Sequence, residues 1–248
     1  MMLHGKTCLI TGSARGIGKA IALTFANAGA DVIVVDRNRV ENELVGEEVR
    51  SLGRKALAIE ADVSKPRDVS KLVQDSLNEF GQIDVFVNNA GIWRQIPIMD
   101  ISLEVWDEYM NVNLRAVFLC TREVLKHMIE RNEGKIINVA SGAGLRGSST
   151  NAAYSASKAG VIAFSQAVAD EVRDFGIKVN IICPRAIKTE MLTHAIKLPA
   201  VHGATALPVD PSSYMEPEEV AGAALFLASD YSGNMNAQVI TVTKTNRW

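Results

Sequence analysis

The sequence predicts an α/β protein with a seven-stranded, doubly wound parallel sheet and helices on both of its faces. Short apolar runs of about four or five residues alternate with longer helical segments along all 248 residues. Strands that are apolar at every position are typical of parallel sheets, because both faces of such a sheet are covered. The first run leads directly into a glycine-rich turn and a helix, which is the first βα unit of such a sheet.

Each strand is predicted from an apolar run, and each helix from the polar or amphipathic stretch that follows it. Gly81 marks the end of the third helix. The predicted strands cover residues 7–10, 32–35, 56–59, 85–88, 136–139, 179–183 and 238–242. The predicted helices cover 19–28, 40–52, 66–80, 103–131, 217–228 and a stretch that contains Tyr154 and ends near residue 175. No repeat, low-complexity tract or linker interrupts them, so residues 1–248 are predicted to form a single domain.

The composition argues against several classes of function. The 26 basic and 28 acidic side chains are intermixed and give a net charge of −2, so no basic patch for nucleic acid is expected. No apolar run approaches the ~20 residues needed to cross a bilayer, and the first residues lack the apolar region of a signal peptide. We therefore expect a cytoplasmic protein without a membrane partner. Cys8, Cys120 and Cys183 lack metal-ligand spacing, and no metal is expected.

The turn after the first strand has the residues of a dinucleotide-binding site. It reads Thr11-Gly12-Ser13-Ala14-Arg15-Gly16-Ile17-Gly18. Gly12 permits a tight turn, Gly16 lets the backbone approach a pyrophosphate, and Gly18 lets the helix pack closely. The N-terminus of that helix supplies amide donors to the phosphates. We therefore predict a Rossmann fold in which Arg15 and Ile17 also lie beside the cofactor.

An acid at the end of the second strand indicates which dinucleotide binds. Asp36 follows the glycines by roughly 20 residues, where a carboxylate accepts hydrogen bonds from the adenosine ribose. It would repel a 2′-phosphate, which favours NAD over NADP. Arg15, Arg37 and Arg39 could instead pair with that phosphate, so NADP stays open as the alternative.

Tyr154 and Lys158 form the pair that points to chemistry. Residues four apart on a helix lie on one face, about one turn from each other. A phenol with a pKa of about 10 transfers protons poorly at neutral pH, and a neighbouring ammonium favours the phenolate. We therefore expect Lys158 to lower the pKa of Tyr154, and Tyr154 to act as a general acid and base.

A series of motifs in the expected order resembles the short-chain dehydrogenase/reductase family over nearly the whole chain. Besides the glycine turn and the tyrosine–lysine pair, they comprise Asp62-Val63, Asn88-Asn89-Ala90-Gly91, Asn113, Ser141 at thirteen residues before Tyr154, Pro184 and Thr189. The resemblance implies an NAD(P)-dependent oxidoreductase that acts on CH–OH groups. Its small-molecule substrate would be a secondary alcohol or ketone, such as a sugar, an alcohol or a hydroxy acid.

The resemblance also implies roles for individual residues. Ser141 would donate a hydrogen bond to the substrate oxygen, and Asn113 would anchor a water that links Lys158 to solvent. With Tyr154 these residues form the implied catalytic set. The implied cofactor contacts are Gly12, Arg15, Gly16, Ile17, Gly18, Asp36, Asp62, Val63, Asn89, Ala90, Gly91, Tyr154, Lys158, Pro184 and Thr189.

Three arginines bear on the substrate. Arg185 stands where the family usually has glycine, and this change is expected to cost backbone freedom. Arg94 and Arg146 lie on loops that leave the C-terminal ends of strands, which form the rim of the site. Together the three suggest an anionic substrate, because a guanidinium binds anions with a bidentate fork. The alternative is that all three are solvated surface residues.

Further expectations concern the lid, the assembly and the reaction. Residues 190–216 are predicted to form a substrate lid that contains His194 and His202. The family implies a homodimer or homotetramer, although the C-terminal residues depart from its usual pattern. An NADPH-dependent 3-oxoacyl reductase is the alternative within the same class. A non-enzymatic sensor of the dinucleotide redox state is the alternative outside it, and the intact catalytic set argues against it.

Overall fold

Seven parallel strands form the predicted sheet. The computed structural model of the chain describes residues 1–192 and 214–244. The strands are β1 (Thr7–Thr11), β2 (Asp31–Asp36), β3 (Ala56–Glu60), β4 (Val85–Asn88), β5 (Gly134–Val139), β6 (Ile177–Pro184) and β7 (Val239–Val242). They pair in parallel in the order β3-β2-β1-β4-β5-β6-β7. The predicted fold and seven strands are confirmed, with strand ends that differ by at most two residues.

Helices cover both faces of the sheet. They are α1 (Gly16–Asn27), α2 (Arg39–Ser51), α3 (Pro66–Phe80), α4 (Leu103–Tyr109), α5 (Ala116–Arg131), α6 (Gly142–Leu145), α7 (Ala152–Glu171) and α8 (Pro217–Ala228). Short 3₁₀ turns lie at Ile98–Asp100, Arg173–Phe175 and Asp230–Ser232. Among the described residues, no helix combines the length and the apolar character that a membrane span requires.

Alternate residues of each strand pack into opposite layers. In β1, Cys8 and Ile10 join the apolar cluster of α1 and α8, whereas Leu9 joins the cluster of α3 and α5. This alternation explains why the strands are apolar at every position. The order of the strands reverses between β1 and β4, and a crevice for ligands opens there, beyond the C-terminal ends of these strands.

The long helix predicted over residues 103–131 is interrupted. A π-helical segment, Met110–Arg115, separates α4 from α5. Its hydrogen bonds join residues five apart instead of four, and such a segment is frequent at functional sites. Periodicity could not predict it, because the apolar residues on either side still follow a helical pattern. Its residue Asn113 is fully buried.

Two predictions concern residues that the structure does not describe. Most of the predicted lid, including His194 and His202, falls within 193–213, and the end of the chain falls within 245–248. Both ranges lie outside the described residues. The lid and the C-terminal departure therefore stay predictions.

Candidate active site

The glycine-rich turn requires glycine for two different reasons. Gly12 and Gly16 have φ of +66° and +55°, a left-handed conformation that other residues rarely adopt. Gly18 instead lacks space, because a Cβ there would lie 2.1 Å from the carbonyl oxygen of Gly12. Helix α1 therefore starts directly against the turn, and its first residues, Gly16 and Ile17, line the cavity described below.

Hydrogen bonds fix the turn to the segment that follows β4. Asn89 Nδ2 donates to the carbonyl oxygens of Thr11 and Gly12, at 3.0 Å each. Thr11 Oγ1 accepts from the backbone N–H groups of Asn89 at 3.0 Å and Ala90 at 3.2 Å. These bonds join the two sides of the crevice between β1 and β4. The floor of the crevice is therefore fixed by the chain itself.

Asp36 lies beside the glycine turn, as predicted. Its Oδ2 accepts a hydrogen bond from the backbone N–H of Ala14 at 3.3 Å. Arg15 and Arg37 line the same cavity, whereas Arg39 lies outside its lining. Asp36, Arg15 and Arg37 therefore share one end of the cavity, where Arg15 pairs with Glu190 at 2.7 Å.

Asp62 and Val63 follow β3 and line the cavity near Asp36. Burial alone would raise the pKa of Asp62, but hydrogen bonds from Ser64 and Lys65 lower the pKa below its ordinary value. The Ser64 hydroxyl donates to Asp62 Oδ1 at 2.6 Å. Asp62 is therefore anionic over the whole neutral range.

Three of the four predicted catalytic side chains meet at the other end of the cavity. Tyr154 and Lys158 lie one turn apart on α7, and the Ser141 side chain is near enough to the Tyr154 hydroxyl to favour the phenolate. Ser141 precedes α6, where its Oγ accepts from the backbone N–H of Ala143 at 3.1 Å. Lys158 Nζ donates to the carbonyl oxygen of Val139 at 2.9 Å. The end of β5 and the first turns of α7 thus bring these groups together.

The fourth predicted residue, Asn113, lies behind the cavity. Its Oδ1 accepts from the Ile92 backbone N–H at 2.8 Å, and its Nδ2 donates to the Ile92 carbonyl at 3.0 Å. Nδ2 also donates to Ser157 Oγ at 3.1 Å. The side chain therefore fixes the backbone of Ile92. The water that Asn113 is expected to anchor stays a prediction.

Tyr109 hydrogen-bonds both backbone groups of Arg94, as Asn113 hydrogen-bonds both backbone groups of Ile92. Its hydroxyl accepts from the Arg94 backbone N–H at 2.7 Å and donates to the Arg94 carbonyl at 2.8 Å. We call residues 92–94 the clamped segment. Sequence reasoning missed Tyr109, whose one signal is its four-residue spacing from Asn113 on a helix.

Trp93, at the centre of the clamped segment, lines the cavity beside Tyr154. The two ring centroids are 6.2 Å apart, and the ring of Tyr109 lies edge-on to Tyr154 at 6.3 Å. The indole N–H of Trp93 donates to Asn151 Oδ1 at 2.5 Å. Sequence reasoning missed this role of Asn151. Tyr154 therefore contacts two aromatic rings whose positions are set by hydrogen bonds.

Two of the three predicted substrate arginines line the cavity, and one does not. Arg146 follows α6 and Arg185 follows β6, and both are in the lining. Arg94 lies outside the lining, where its guanidinium pairs with Glu108 and lies 5.8 Å from the centre of the Tyr109 ring. The three arginines are therefore not brought together, because Glu108 holds Arg94 elsewhere. The expected cost of arginine at 185 is also absent, since its φ is not positive.

One continuous cavity of about 970 Å³ connects the glycine turn with Tyr154. Gly18 and Asn113 support its walls from outside the lining. The predicted site residues in the lining are Gly12, Arg15, Gly16, Ile17, Asp36, Asp62, Val63, Asn89, Ala90, Gly91, Ser141, Arg146, Tyr154, Lys158, Pro184, Arg185 and Thr189.

A family model described as short chain dehydrogenase matches residues 6–197, which contain the glycine turn and the residues around Tyr154. The chain belongs to the short-chain dehydrogenase/reductase family. It is therefore an oxidoreductase that acts on hydroxyl or keto groups, in a family that uses NAD(P).

Similar proteins include both 3-oxoacyl reductases and a xylitol dehydrogenase. The 3-oxoacyl-[acyl-carrier-protein] reductase of Synechocystis sp. is 40% identical over 229 residues, which are 92% of this chain and 91% of that protein. The reductase of the same name from Thermotoga maritima is 40% identical over 243 residues, 98% of each chain. The crystal structure of an NAD⁺-bound xylitol dehydrogenase has a TM-score of 0.93 at 29% identity and covers 99% of this chain and 100% of that chain.

The pKa shift at Tyr154 of this dehydrogenase is opposite to the one expected. Burial raises the pKa of Tyr154 to about 12, although the Ser141 side chain opposes the rise. Burial also lowers the pKa of Lys158 to about 8. The prediction that Lys158 lowers the pKa of Tyr154 is therefore wrong for the chain by itself. Desolvation is the largest effect on both groups, and the ammonium is bonded to Val139.

In the Lys158→Met variant, the free energy of unfolding is expected to rise less with pH than it does in the wild type. An unfolded lysine keeps its proton up to its ordinary pKa of 10.5, whereas the folded Lys158 keeps it only up to a pKa of about 8. Between these values the unfolded state binds more protons, so the free energy of unfolding of the wild type rises with pH; below pH 8 this group adds no slope. Denaturant titrations should therefore show the variant losing stability relative to wild type between pH 8 and 10.5.

Lys71→Met, at an exposed lysine paired with Asp75, is the matched control for this experiment. Its stability difference from wild type should show no comparable trend. A Lys158→Met difference that stays constant over the same window would show that the ammonium is not desolvated.

Proposed function

We propose that this short-chain dehydrogenase/reductase transfers a hydride between NAD(H) and a secondary alcohol or its ketone, with Tyr154 as the general acid and base. The observation that carries the proposal is the meeting of Tyr154, Ser141 and Lys158 at one end of a cavity whose other end holds the glycine turn and Asp36. Acid–base groups and a phosphate-binding turn in one crevice are what a hydride transfer between two bound molecules requires.

The lining of the cavity fits a dinucleotide. Its volume of about 970 Å³ is at the upper end of ligand sites. Gly12 and Gly16 leave backbone at the surface of the turn, so that amides at the start of α1 can bind a pyrophosphate. Asp36, Asp62 and Val63 would hold the adenosine. The other proposed contacts are Arg15, Ile17, Asn89, Ala90, Gly91, Lys158, Pro184 and Thr189. When bound, the nicotinamide supplies or accepts the hydride.

Tyr154 holds the proton that moves in the proposed reaction. In the direction of reduction its O–H gives its proton to the substrate carbonyl oxygen. Oxidation is the reverse: the phenol must first lose its proton to solvent, because its pKa is about 12 in the chain by itself, and the phenolate then takes the hydroxyl proton. Ser141, whose side chain lies near the Tyr154 hydroxyl, donates to the same oxygen and stabilises the charge that develops there. Lys158, one turn away, orients the nicotinamide ribose. The rings of Trp93 and Tyr109 lie beside the phenol, with centroids 6.2 and 6.3 Å from its own.

Replacing Asp36 with alanine is expected to shift the binding preference from NAD toward NADP. The carboxylate repels a 2′-phosphate, whereas Arg15 and Arg37 in the same lining would pair with it. Isothermal titration of each dinucleotide measures binding without turnover. The ratio of the Kd for NADP to the Kd for NAD should fall about tenfold, which corresponds to roughly 1.4 kcal/mol.

Asp170→Ala, which removes an exposed carboxylate paired with Arg173, is the control for the change in net charge. It should leave the ratio as in the wild type. If Asp36→Ala also leaves the ratio unchanged, Asp36 does not select the dinucleotide.

The proposed function is tested by following NADH formation with purified protein, NAD and a panel of secondary alcohols, sugars and hydroxy acids, with an NADP arm alongside. Turnover with NAD supports the proposal. Cofactor binding without turnover of any compound in either direction contradicts it and favours a sensor of the dinucleotide redox state.

The second candidate is an NADPH-dependent reductase of 3-oxoacyl thioesters. It is favoured by the names of the two relatives that are 40% identical over nearly the whole chain. Asp36 argues against it, because a carboxylate beside the glycine turn disfavours the 2′-phosphate of NADPH. The test compares two rates. If a 3-oxoacyl thioester is reduced with NADPH faster than any alcohol is oxidised with NAD, the second candidate replaces the first.

We also propose that the protein is a cytoplasmic homodimer or homotetramer. Phe118 of α5 is 39% exposed and packs edge-on against Phe164 of α7, with ring centroids 6.3 Å apart. The two helices therefore share apolar surface of the kind that interfaces bury. Light scattering that gave a monomer mass at micromolar concentration would contradict the proposed assembly.

A further inference from the structure

We propose that the substrate of this enzyme carries a carboxylate, and that Arg185, together with Arg146, binds it at the mouth of the cavity. The inference rests on the proposed function, because it places an anion site next to the oxygen that Tyr154 and Ser141 would protonate and hydrogen-bond. It gives a substrate class to a reaction that is otherwise defined only by its chemistry.

Arg185 lies next to the catalytic serine. Its backbone N–H donates to the Val242 carbonyl at 3.1 Å, which fixes this end of β6 to β7. A Cβ built on Gly142 would lie 3.1 Å from Arg185 Cγ, so the stem of the arginine crosses Gly142. Gly142 directly follows Ser141. The side chain of Arg185 therefore lines the cavity beside the hydroxyl that would bind the substrate oxygen.

Arg146 lines the same end of the cavity from the loop between α6 and α7. Its backbone N–H donates to the Gly142 carbonyl at 3.2 Å, so both arginines are attached around one glycine. Within residues 1–192 and 214–244 its guanidinium makes no ion pair. Ser148 in the same loop accepts from Asn151 Nδ2 at 2.9 Å, which leaves its hydroxyl hydrogen available to a ligand.

The two ends of the described lining differ in charge. The acidic side chains Asp36, Glu41, Asp62 and Glu190 lie toward the glycine turn, together with the basic Arg15 and Arg37. Arg15 pairs with Glu190 at 2.7 Å. Around Tyr154 the charged side chains of the described lining are basic: Lys158, Arg146 and Arg185. This end of the cavity therefore attracts an anion and disfavours a cation.

The arginines suit a carboxylate better than the lysine does. The ammonium of Lys158 is buried and already donates to the Val139 carbonyl, whereas Arg146 and Arg185 are exposed. A guanidinium presents two parallel N–H groups to the two oxygens of a planar carboxylate. A substrate that joins a keto group to a carboxylate could therefore bind Ser141 and Arg185 at once, which fixes its orientation before hydride transfer.

The test compares oxo acids with their methyl esters. With NADH and the full chain, 2-oxo, 3-oxo, 4-oxo and 5-oxo hexanoates are each paired with the ester, and neutral ketones are assayed alongside. At one spacing or more we expect kcat/KM for the acid to exceed that for the ester by about tenfold or more, mainly through KM. Arg185→Gln should reduce this ratio to about threefold or less, and Arg185→Lys should retain part of it.

Arg173→Gln, which removes an exposed arginine paired with Asp170, is the matched control and should keep the wild-type ratio. Equal values for acid and ester at every spacing, with turnover of neutral ketones, would overturn the carboxylate site and leave the proposed function intact. A loss of NADH affinity in Arg185→Gln, without a change in the ratio, would assign the arginine to the cofactor and also overturn the inference.

If the proposed function is wrong, no compound in the assay is turned over, which differs from the result that overturns the carboxylate site alone. Calorimetric titration of the protein–NADH complex with hexanoate and with hexanamide then decides the anion site. Tighter binding of hexanoate, lost in Arg185→Gln, would support the site. Equal or undetectable binding of both would overturn it.

Discussion

Tyr154→Phe is expected to lower kcat/KM by about 10²- to 10⁴-fold, the range that a positioned proton donor contributes. The phenyl ring keeps its contacts with Trp93 and Tyr109, so that only the hydroxyl is lost. With a pKa of about 12, the wild-type phenol holds its proton throughout the neutral range, and its removal changes no charge there. Initial rates and a titration with NADH should therefore show a large loss of turnover with little loss of cofactor affinity.

Tyr231→Phe removes an exposed phenol and is the control for this substitution. It should turn over as the wild type does. Near-wild-type turnover of Tyr154→Phe, with an unchanged melting temperature, would remove Tyr154 from the mechanism and require another proton donor.

Gly18→Ala is expected to lower the free energy of unfolding by about 3 kcal/mol and to abolish measurable NAD binding. The new methyl group would lie 2.1 Å from the Gly12 carbonyl oxygen and close to the side-chain amide of Asn89. Backbone must move to relieve such a contact, and forced repacking of this kind is at the upper end of the usual 1–3 kcal/mol. Chemical denaturation and isothermal titration measure the two effects.

Gly222→Ala is the matched control, because this exposed glycine lies inside α8 and a Cβ there meets no atom within 4 Å. Alanine at such a helical position should raise the free energy of unfolding by roughly 0.5–1 kcal/mol. If Gly18→Ala folds and binds NAD like the wild type, α1 does not depend on close approach to the turn.

The sheet and one end of the site could be predicted because local sequence determines them. Apolar runs such as Val32–Val35 require burial on both faces, and Gly12 and Asp36 stand at the ends of the strands that carry them. Tyr154 and Lys158 are fixed by helical spacing alone. Features of this kind depend only on residues that are close in the sequence, so contacts with distant segments do not alter them.

The rest of the site depends on contacts between distant segments. Arg94 lies outside the cavity because it pairs with Glu108, and the spacing of these two residues does not predict that pair. The pKa of Tyr154 depends on how deeply the fold buries it, which exceeds any local effect of Lys158. Asn113, which lies in the π-helical segment, bonds the backbone of Ile92, and that contact between distant segments has no signal in the local sequence.

The clamped segment has a consequence for how the range of substrates can change. Tyr109 and Asn113 hold the backbone on both sides of Trp93, and neither of them lines the cavity. A new side chain at position 93 would therefore alter the shape of the pocket while the main chain beneath it stayed in place. Each such replacement also removes the hydrogen bond from the Trp93 indole to Asn151 and the ring contact with Tyr154. New specificity can arise there by single substitutions.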